Sequence, residues 1–441
     1  MKEHRLTTTL PILTLAIAAV IVYWPTWTNE FLYEWDDQWM LLNQYTPGGW
    51  GIDNIRRVLT DFYNCQYAPF NQFIYMAIFD VFGYNSAIFH GASLLAHIAN
   101  VIMVYYLLLN LLRRQKNISN TGIYIMSFVA AFLFAIHPVN VESIAWISAS
   151  KVPFYAFFFL AGLISYLKFV DIGKSRYYLI ALLCFFPSFG SKEQAVTYPL
   201  MIIAIDWFIG RNIRSKDLWI EKLPILLLAL FFGIVTLLSQ SGCRGGEQFG
   251  FIERLAIASF CLVEYISKAI IPLNLCFLYP FPSLPGEPLP THFWIYPFII
   301  MAIVIPLIIV CRRNKIIIFS ALMFIINLLF SINIISMSRA SIVADRYFYL
   351  SGIGVFLLIG YGIYILFTRW GNNLKFKALI TLFILYCLAL GAHTFYYTAQ
   401  WKDSNTVKAY LRSLIKENKE RKEAVPFLEK LNKIDSEKED K

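Results

Sequence analysis

The chain has 441 residues, 58% of them hydrophobic and 15% charged. A soluble domain carries about 25% charged residues, and apolar runs of about 20 residues, the length that crosses a hydrocarbon core, recur here. This composition excludes an ordinary soluble enzyme. It also excludes nucleic acid as a partner, because the basic residues behind the formal charge of +10 sit in short loops between apolar runs.

The expected architecture is an all-α polytopic membrane protein. The N-terminal MKEHRLTTTLPILTLAIAAVIVYW has a signal-like charge and apolar core but no small-residue cleavage site, so it reads as a retained first span, 9–28, with Lys2 and Arg5 inside. Residues 29–84 follow as a long first external loop, rich in Trp, Tyr and Asn, with a turn at TPGGWG (46–51) and a short surface helix near 53–60. Further spans are expected at 87–112, 124–136, 153–170, 177–189, 195–209 and 223–239. Segment 241–290 is apolar over 251–271 but carries Glu253, Glu264 and Lys268, and the next span ends in CRRNK, an inside signal. Parity therefore makes 241–290 an external or re-entrant segment. Spans at 294–310, 316–337, 347–367 and 376–396 complete a catalytic membrane domain, 1–400, with a short charged external tail, 401–441.

That path has about eleven spans, N-terminus in and C-terminus out. It places 18 Lys and Arg in the inner segments and 9 in the longer outer loops, the C-terminal tail left aside, the bias over loops that orientation in a membrane requires. The seven cysteines form no CxxC pair. Cys184, Cys311 and Cys387 fall in or beside apolar runs and read as packing residues, whereas Cys65, Cys243 and Cys276 fall outside, where a disulfide between two of them is open.

The densest chemistry lies in NEFLYEWDDQWMLLN (29–43), which holds Glu34, Asp36 and Asp37 among Phe31, Tyr33, Trp35 and Trp39. Carboxylates this close repel one another, and proximity to a membrane strips their solvent; both effects mark a functional site. Other polar residues gather at the same outer ends: Tyr67 and Asn71; His137, Asn140 and Glu142; Lys151; Lys192 and Glu193; Lys268; Arg339, Asp345 and Arg346; Trp401 and Asp403. Ionisable groups near membrane depth are functional candidates. Each also fits a plainer role: Asp36 and Asp37 as solvated loop acids, His137-Pro138 as a helix end, Lys192–Glu193 as a surface ion pair, Asp345–Arg346 as a span-end pair with a snorkelling arginine. His90 and His97, seven apart with no third ligand in view, read as bundle packing rather than a metal site.

Eight stretches, in order, resemble the transmembrane O-mannosyltransferases that carry C-terminal tetratricopeptide repeats, within the GT-C glycosyltransferase superfamily. They are YEWDDQWMLLN (33–43), YAPFNQF (67–73), FHGASLLAHIAN (89–100), FAIHPVNVESIAWISASK (134–151), SKEQAVTYPLMIIAIDW (191–207), YISKAIIPLNL (265–275), VADRYFYLSGIG (343–354) and WKDS (401–404). The resemblance implies a GT-C fold and transfer of a sugar, mannose or another hexose, from a polyprenyl-phosphate carrier on the outer or lumenal side. It implies that Asp36 and Asp37 matter most and puts HPVNVES, SKE and ADRY near the donor and acceptor. The tail of about forty residues is too short for a repeat array of about 34 residues per unit, which leaves a protein, glycan or lipid acceptor open.

The chemistry needs a base within about 3 Å of the acceptor hydroxyl, for which Asp36 is the first choice, with Asp37 positioning the acceptor or sharing its charge. The leaving phosphate needs cations, for which Arg346, then Lys192 and Lys151, are expected. Tyr67, His137, Glu142, Glu193 and Asp345 are expected to contact substrate. Direct displacement would invert the anomeric centre. Paired acids could also hold a divalent metal, which a monophosphate donor needs less. The expected location is a bacterial inner membrane with the site facing outward. The rival functions are a lipid-linked sugar transporter or flippase, which predicts mid-membrane charges and repeat symmetry, and a non-catalytic membrane scaffold.

Overall fold

Backbone groups inside a hydrocarbon layer find partners only within a helix or a closed barrel. The long apolar runs fold accordingly: among its described residues the computed structural model has seventeen α-helices and one isolated bridge, between Tyr63 and Gln66. It describes residues 2–33, 35–241, 249–283, 286–335, 341–371 and 373–417; Glu34, Cys243, Arg339 and the tail beyond 417 lie outside the described residues.

Every expected span has a helix at its position: Lys2–Val22, Ser86–Leu112, Asn120–Ile136, Lys151–Ile172, Ser175–Ser191, Tyr198–Ile209, Lys216–Ser241, Tyr296–Cys311, Lys315–Leu328, Phe348–Trp370 and Leu374–Ala399. Only six helices among the described residues are long and apolar enough to cross a membrane; Asn120–Ile136 and Pro138–Ala145, joined at a 51° bend, would make a seventh. The expected eleven exceeds what length and composition license, since Thr9–Val22 and Lys315–Leu328 are shorter apolar helices and Tyr198–Ile209 has 12 residues. The six make this a multi-pass membrane protein. Phe251–Ile270 is a 20-residue helix outside the six, with Ile257, Cys261 and Tyr265 buried and Phe251, Ile252 and Leu255 exposed.

The long first loop is substantially helical, holding Asp37–Met40, Ile52–Thr60 and Pro69–Phe82. The last has ordinary boundary signals, Pro69 in its first turn and Gly83 at φ 60° just past its end. The charged tail is likewise not all solvated. Helix Ser404–Glu417 buries Val407, Leu411 and Leu414, an i, i+4, i+7 stripe, against the main core.

Burial grades outward from a centre. Of the most apolar stretch of Ile147–Ile172, 78% is buried, against 6% for Thr291–Cys311, whose surface is left for lipid. Close approach at the centre uses glycine. A side chain on Gly354 would meet the Ser320 carbonyl of the neighbouring Lys315–Leu328 helix, and one on Gly360 would sit 2.9 Å from the Met126 carbonyl. Toward the far end of the Lys151–Ile172 helix from Lys151, Tyr166, Asp206, Arg211, Glu221 and Lys222 form one knot. Asp206 accepts from the Tyr166 hydroxyl at 2.7 Å and pairs with Lys222 at 2.8 Å, and Arg211 pairs with Glu221 at 2.7 Å.

At the Lys151 end, one carboxylate fastens the first loop to the bundle. Asp37 is fully buried; its Oδ1 accepts from the Ser148 N–H at 2.8 Å and the Ser148 hydroxyl at 2.5 Å, and its Oδ2 from the Leu32 N–H at 2.9 Å. Burial, opposed by these bonds, pushes the carboxyl up from an ordinary 3.8 to about 6.

Two outcomes follow from this packing. Gly354→Val should lower the thermal midpoint of the detergent-solubilised protein by several degrees. Gly362→Ala, where an added methyl meets nothing within 4 Å, should leave it unchanged or raise stability by about 0.5–1 kcal/mol. For Asp37, the folded state holds its proton to a higher pH than the unfolded chain does. Its carboxyl therefore favours the fold most below about pH 4, and that contribution falls as pH rises to about 6. In Asp37→Asn this fall should vanish, and the loss of one acceptor should cost about 1–3 kcal/mol. Thermal midpoints from pH 4 to 7 check both; an unaltered pH slope in the variant would assign the titration to another group.

Candidate functional site

The fastening of Asp37 determines what its neighbour can do. Asp36 opens the short Asp37–Met40 helix and lines a cavity of about 360 Å³ at the end of the bundle that carries the first loop. Its carboxylate makes no ion pair or hydrogen bond among the described residues. A smaller polar chamber of about 50 Å³ adjoins, and Asp36, Gln66, Trp146, Glu193, Arg346 and Tyr347 line both.

The larger cavity is walled by Trp35, Trp39, Tyr67 and Phe277, with Thr236, Ser239 and Gln240 from the end of the Lys216–Ser241 helix on another side. Trp35 meets Phe277 edge-on at 4.3 Å. Cys65, on the same wall, is disulfide-bonded, while the buried Cys276 thiol donates to the Leu278 carbonyl at 2.9 Å. The smaller chamber adds Ser148, Lys151 and Lys192. Lys151 donates to the Gln66 amide oxygen at 2.6 Å, and Lys192 lies 5.4 Å above the Tyr347 ring. Both lysines are almost fully buried, so their charges, and those of Asp36, Glu193 and Arg346 on the same chamber, interact in a low-dielectric place.

Arg346 is held from behind. It sits in the 3-10 turn Asp345–Tyr347, where both its backbone N–H (2.8 Å) and its guanidinium bond the buried Glu142 carboxylate. Its guanidinium lies 5.6 Å from the Trp146 ring and 5.2 Å from that of Tyr347. Asp345 turns inward instead, accepting from Lys268 at 2.8 Å and from the Tyr279 hydroxyl at 2.9 Å. Trp401, of the WKDS stretch, stacks on Trp146 at 5.7 Å.

Of the residues singled out from sequence, Asp36, Tyr67, Lys151, Lys192, Glu193 and Arg346 come together on these two chambers. Asp37, His137, Glu142 and Asp345 line neither. Each is fully buried and engaged with its own partners. His137 bonds the Ala269 carbonyl at 3.2 Å and packs 5.0 Å from the Phe356 ring. His97, read as packing, hydrogen-bonds the Tyr349 hydroxyl at 2.7 Å. No three His, Cys, Asp or Glu that could hold a metal ion gather among the described residues.

Sequence reasoning missed Gln66, Trp146, Phe277, Gln240 and Ser148. Trp146 lies inside a stretch already marked, FAIHPVNVESIAWISASK, but a tryptophan near a membrane boundary is ordinary. Gln240 ends an apolar helix and carries no local signature.

No protein-family model matches the chain. A protein O-mannosyl-transferase of Caenorhabditis elegans is 25% identical to it over 379 residues, which cover 82% of this chain and 50% of the nematode protein. The chain thus spans about half the length of the curated relative it matches.

Proposed function

We propose that this chain is an integral-membrane glycosyltransferase of GT-C type that moves a hexose from a polyprenyl-phosphate donor to an acceptor hydroxyl on the outer or lumenal face. The observation that carries the proposal is the meeting of Asp36 and Arg346, 310 positions apart in sequence, on one outer cavity whose side chamber holds Lys151 and Lys192. The similarity to the nematode O-mannosyl-transferase supports a sugar-transfer function. The disulfide at Cys65, on the cavity wall, supports the oxidising side of a membrane. The nematode source lends nothing to a bacterial location, and the proposal needs only an outer or lumenal face.

In this reading the acceptor hydroxyl gives its proton to the Asp36 carboxylate as its oxygen attacks the anomeric carbon. The bond to the carrier phosphate breaks, and the phosphate leaves with the electron pair toward Lys151, Lys192 and Arg346. Attack opposite the leaving group inverts the anomeric centre. Glu142 already neutralises much of Arg346, so the lysines supply the larger share of the charge that the phosphate meets.

Asp36→Asn should reduce transfer from labelled polyprenyl-phosphate mannose by about 10²-fold or more in a protein that still folds, because the Asp36 carboxylate makes no hydrogen bond or ion pair among the described residues. Full activity in that variant would remove the base. For Arg346, alanine would strand the buried Glu142 carboxylate, at a cost of about 3–5 kcal/mol, so lysine is the cleaner substitution. Arg346→Lys should raise KM for the donor several-fold in a folded protein; an unchanged KM would take Arg346 out of the phosphate end.

A further inference from the structure

The larger cavity has a feature that phosphate chemistry leaves unused. Three of its lining side chains carry buried polar atoms with no hydrogen-bond partner among the described residues: the indole N–H of Trp35, the indole N–H of Trp146 and the amide oxygen of Gln240. A buried donor or acceptor left without a partner is costly, and natural proteins keep few of them without a reason. These three come from separate parts of the chain, the first loop, the 3-10 turn before Lys151 and the end of the Lys216–Ser241 helix, yet line a single cavity.

Their chemistry is not that of a phosphate seat. Two neutral donors and one neutral acceptor, beside the flat faces of Trp39, Tyr67 and Phe277, suit a ligand with an uncharged rim of hydroxyls and an apolar C–H face. A pyranose ring has both. Hydroxyls give and accept, so one ring satisfies indole donors and an amide oxygen together, while its C–H face lies on an aromatic surface. The cavity volume of about 360 Å³ falls within the range of small-molecule sites.

We infer that Trp35, Trp146 and Gln240 form the seat of the donor's hexosyl ring, binding its hydroxyls beside the cationic chamber that takes the phosphate. The inference rests on the proposed sugar transfer and adds the residues that recognise the sugar. Gln240 is the specificity-determining member, since its oxygen accepts only from a hydroxyl that points toward the Lys216–Ser241 helix. Trp35 and Trp146 each add a donor to a sugar oxygen.

The test is equilibrium binding of radiolabelled carriers to the purified full-length protein in lipid nanodiscs. Bare polyprenyl phosphate is compared with polyprenyl-phosphate mannose and polyprenyl-phosphate glucose. The wild type should bind at least one sugar-bearing carrier about tenfold or more tightly than the bare one. Trp35→Phe, Trp146→Phe and Gln240→Leu, which keep bulk but delete the polar atom, should each remove most of that preference and leave affinity for the bare carrier within about twofold. Retention of the full preference in all three variants, or its absence in the wild type while the bare carrier binds, overturns the sugar seat alone. Failure of the wild type to bind any of the three carriers overturns the polyprenyl-phosphate reading beneath it. A loss of bare-carrier affinity equal to the loss of sugar-bearing affinity shows a structural role for the residue and also counts against the seat.

Discussion

The outer architecture depends on a buried carboxylate that accepts three hydrogen bonds. Asp37 joins the first loop to the turn at Ser148, 111 positions along the chain, and to Leu32 behind it. Burial alone would drive this group to its neutral form, and the three donors oppose that. Two consecutive residues at the start of a helix project in different directions. Once Asp37 faces the bundle, Asp36 is left on the cavity side. The structural acid thus aims the other, and the two cannot exchange roles without unfastening the loop.

The remaining walls show the same division between holding and presenting. Glu142 and Asp345 are enclosed, and each secures a cation or hydroxyl from a distant segment: Glu142 binds Arg346, and Asp345 binds Lys268 and Tyr279. Removing one partner from such a pair leaves an unpaired charge in a low-dielectric place. The turn Asp345–Tyr347 is therefore held on both sides, with Tyr347 and the Arg346 guanidinium left on the cavity wall. Trp401 stacked on Trp146 closes the back, bringing the start of the C-terminal segment into the same assembly.

Much of the helical order was legible from hydropathy, because long apolar runs in a membrane have few alternatives to helix. What misled was the polar sequence between runs. The 29–84 stretch looked like a loop because Trp, Tyr and Asn dominate it, yet Pro69 and Gly83 bracket an ordinary helix there. The tail looked solvated because Lys and Glu outnumber the stripe of Val407, Leu411 and Leu414. In the site, adjacency pointed to Asp36 and Asp37 but could not say which would face inward, since that choice is made by Ser148. Gln240 and Trp146 were illegible for the same reason: their importance lies in where other segments place them, and neither type is unusual at a helix end. Glu142, His137 and Asp345 were found for being polar at outer span ends, a criterion that does not separate a wall's surface from its interior.

The two polar clusters of the bundle sit near opposite ends of the same helices, and their contrast bears on function. Tyr166 lies fifteen positions beyond Lys151 along one helix, about 20 Å at 1.5 Å per residue. At Tyr166 the charges close on themselves: Asp206 and Glu221 are matched by Arg211 and Lys222, all within hydrogen-bond reach. Such a knot fixes helix ends and has nothing left to offer a ligand. At the Lys151 end, the Asp36 carboxylate makes no hydrogen bond or ion pair among the described residues, Lys151 donates to the neutral amide of Gln66, and three further buried polar atoms on cavity-lining side chains have no hydrogen-bond partner there. A bundle that needed only to be held together could have closed both ends alike. Leaving one end electrostatically incomplete costs stability, and a ligand carrying hydroxyls and an anionic group would complete it.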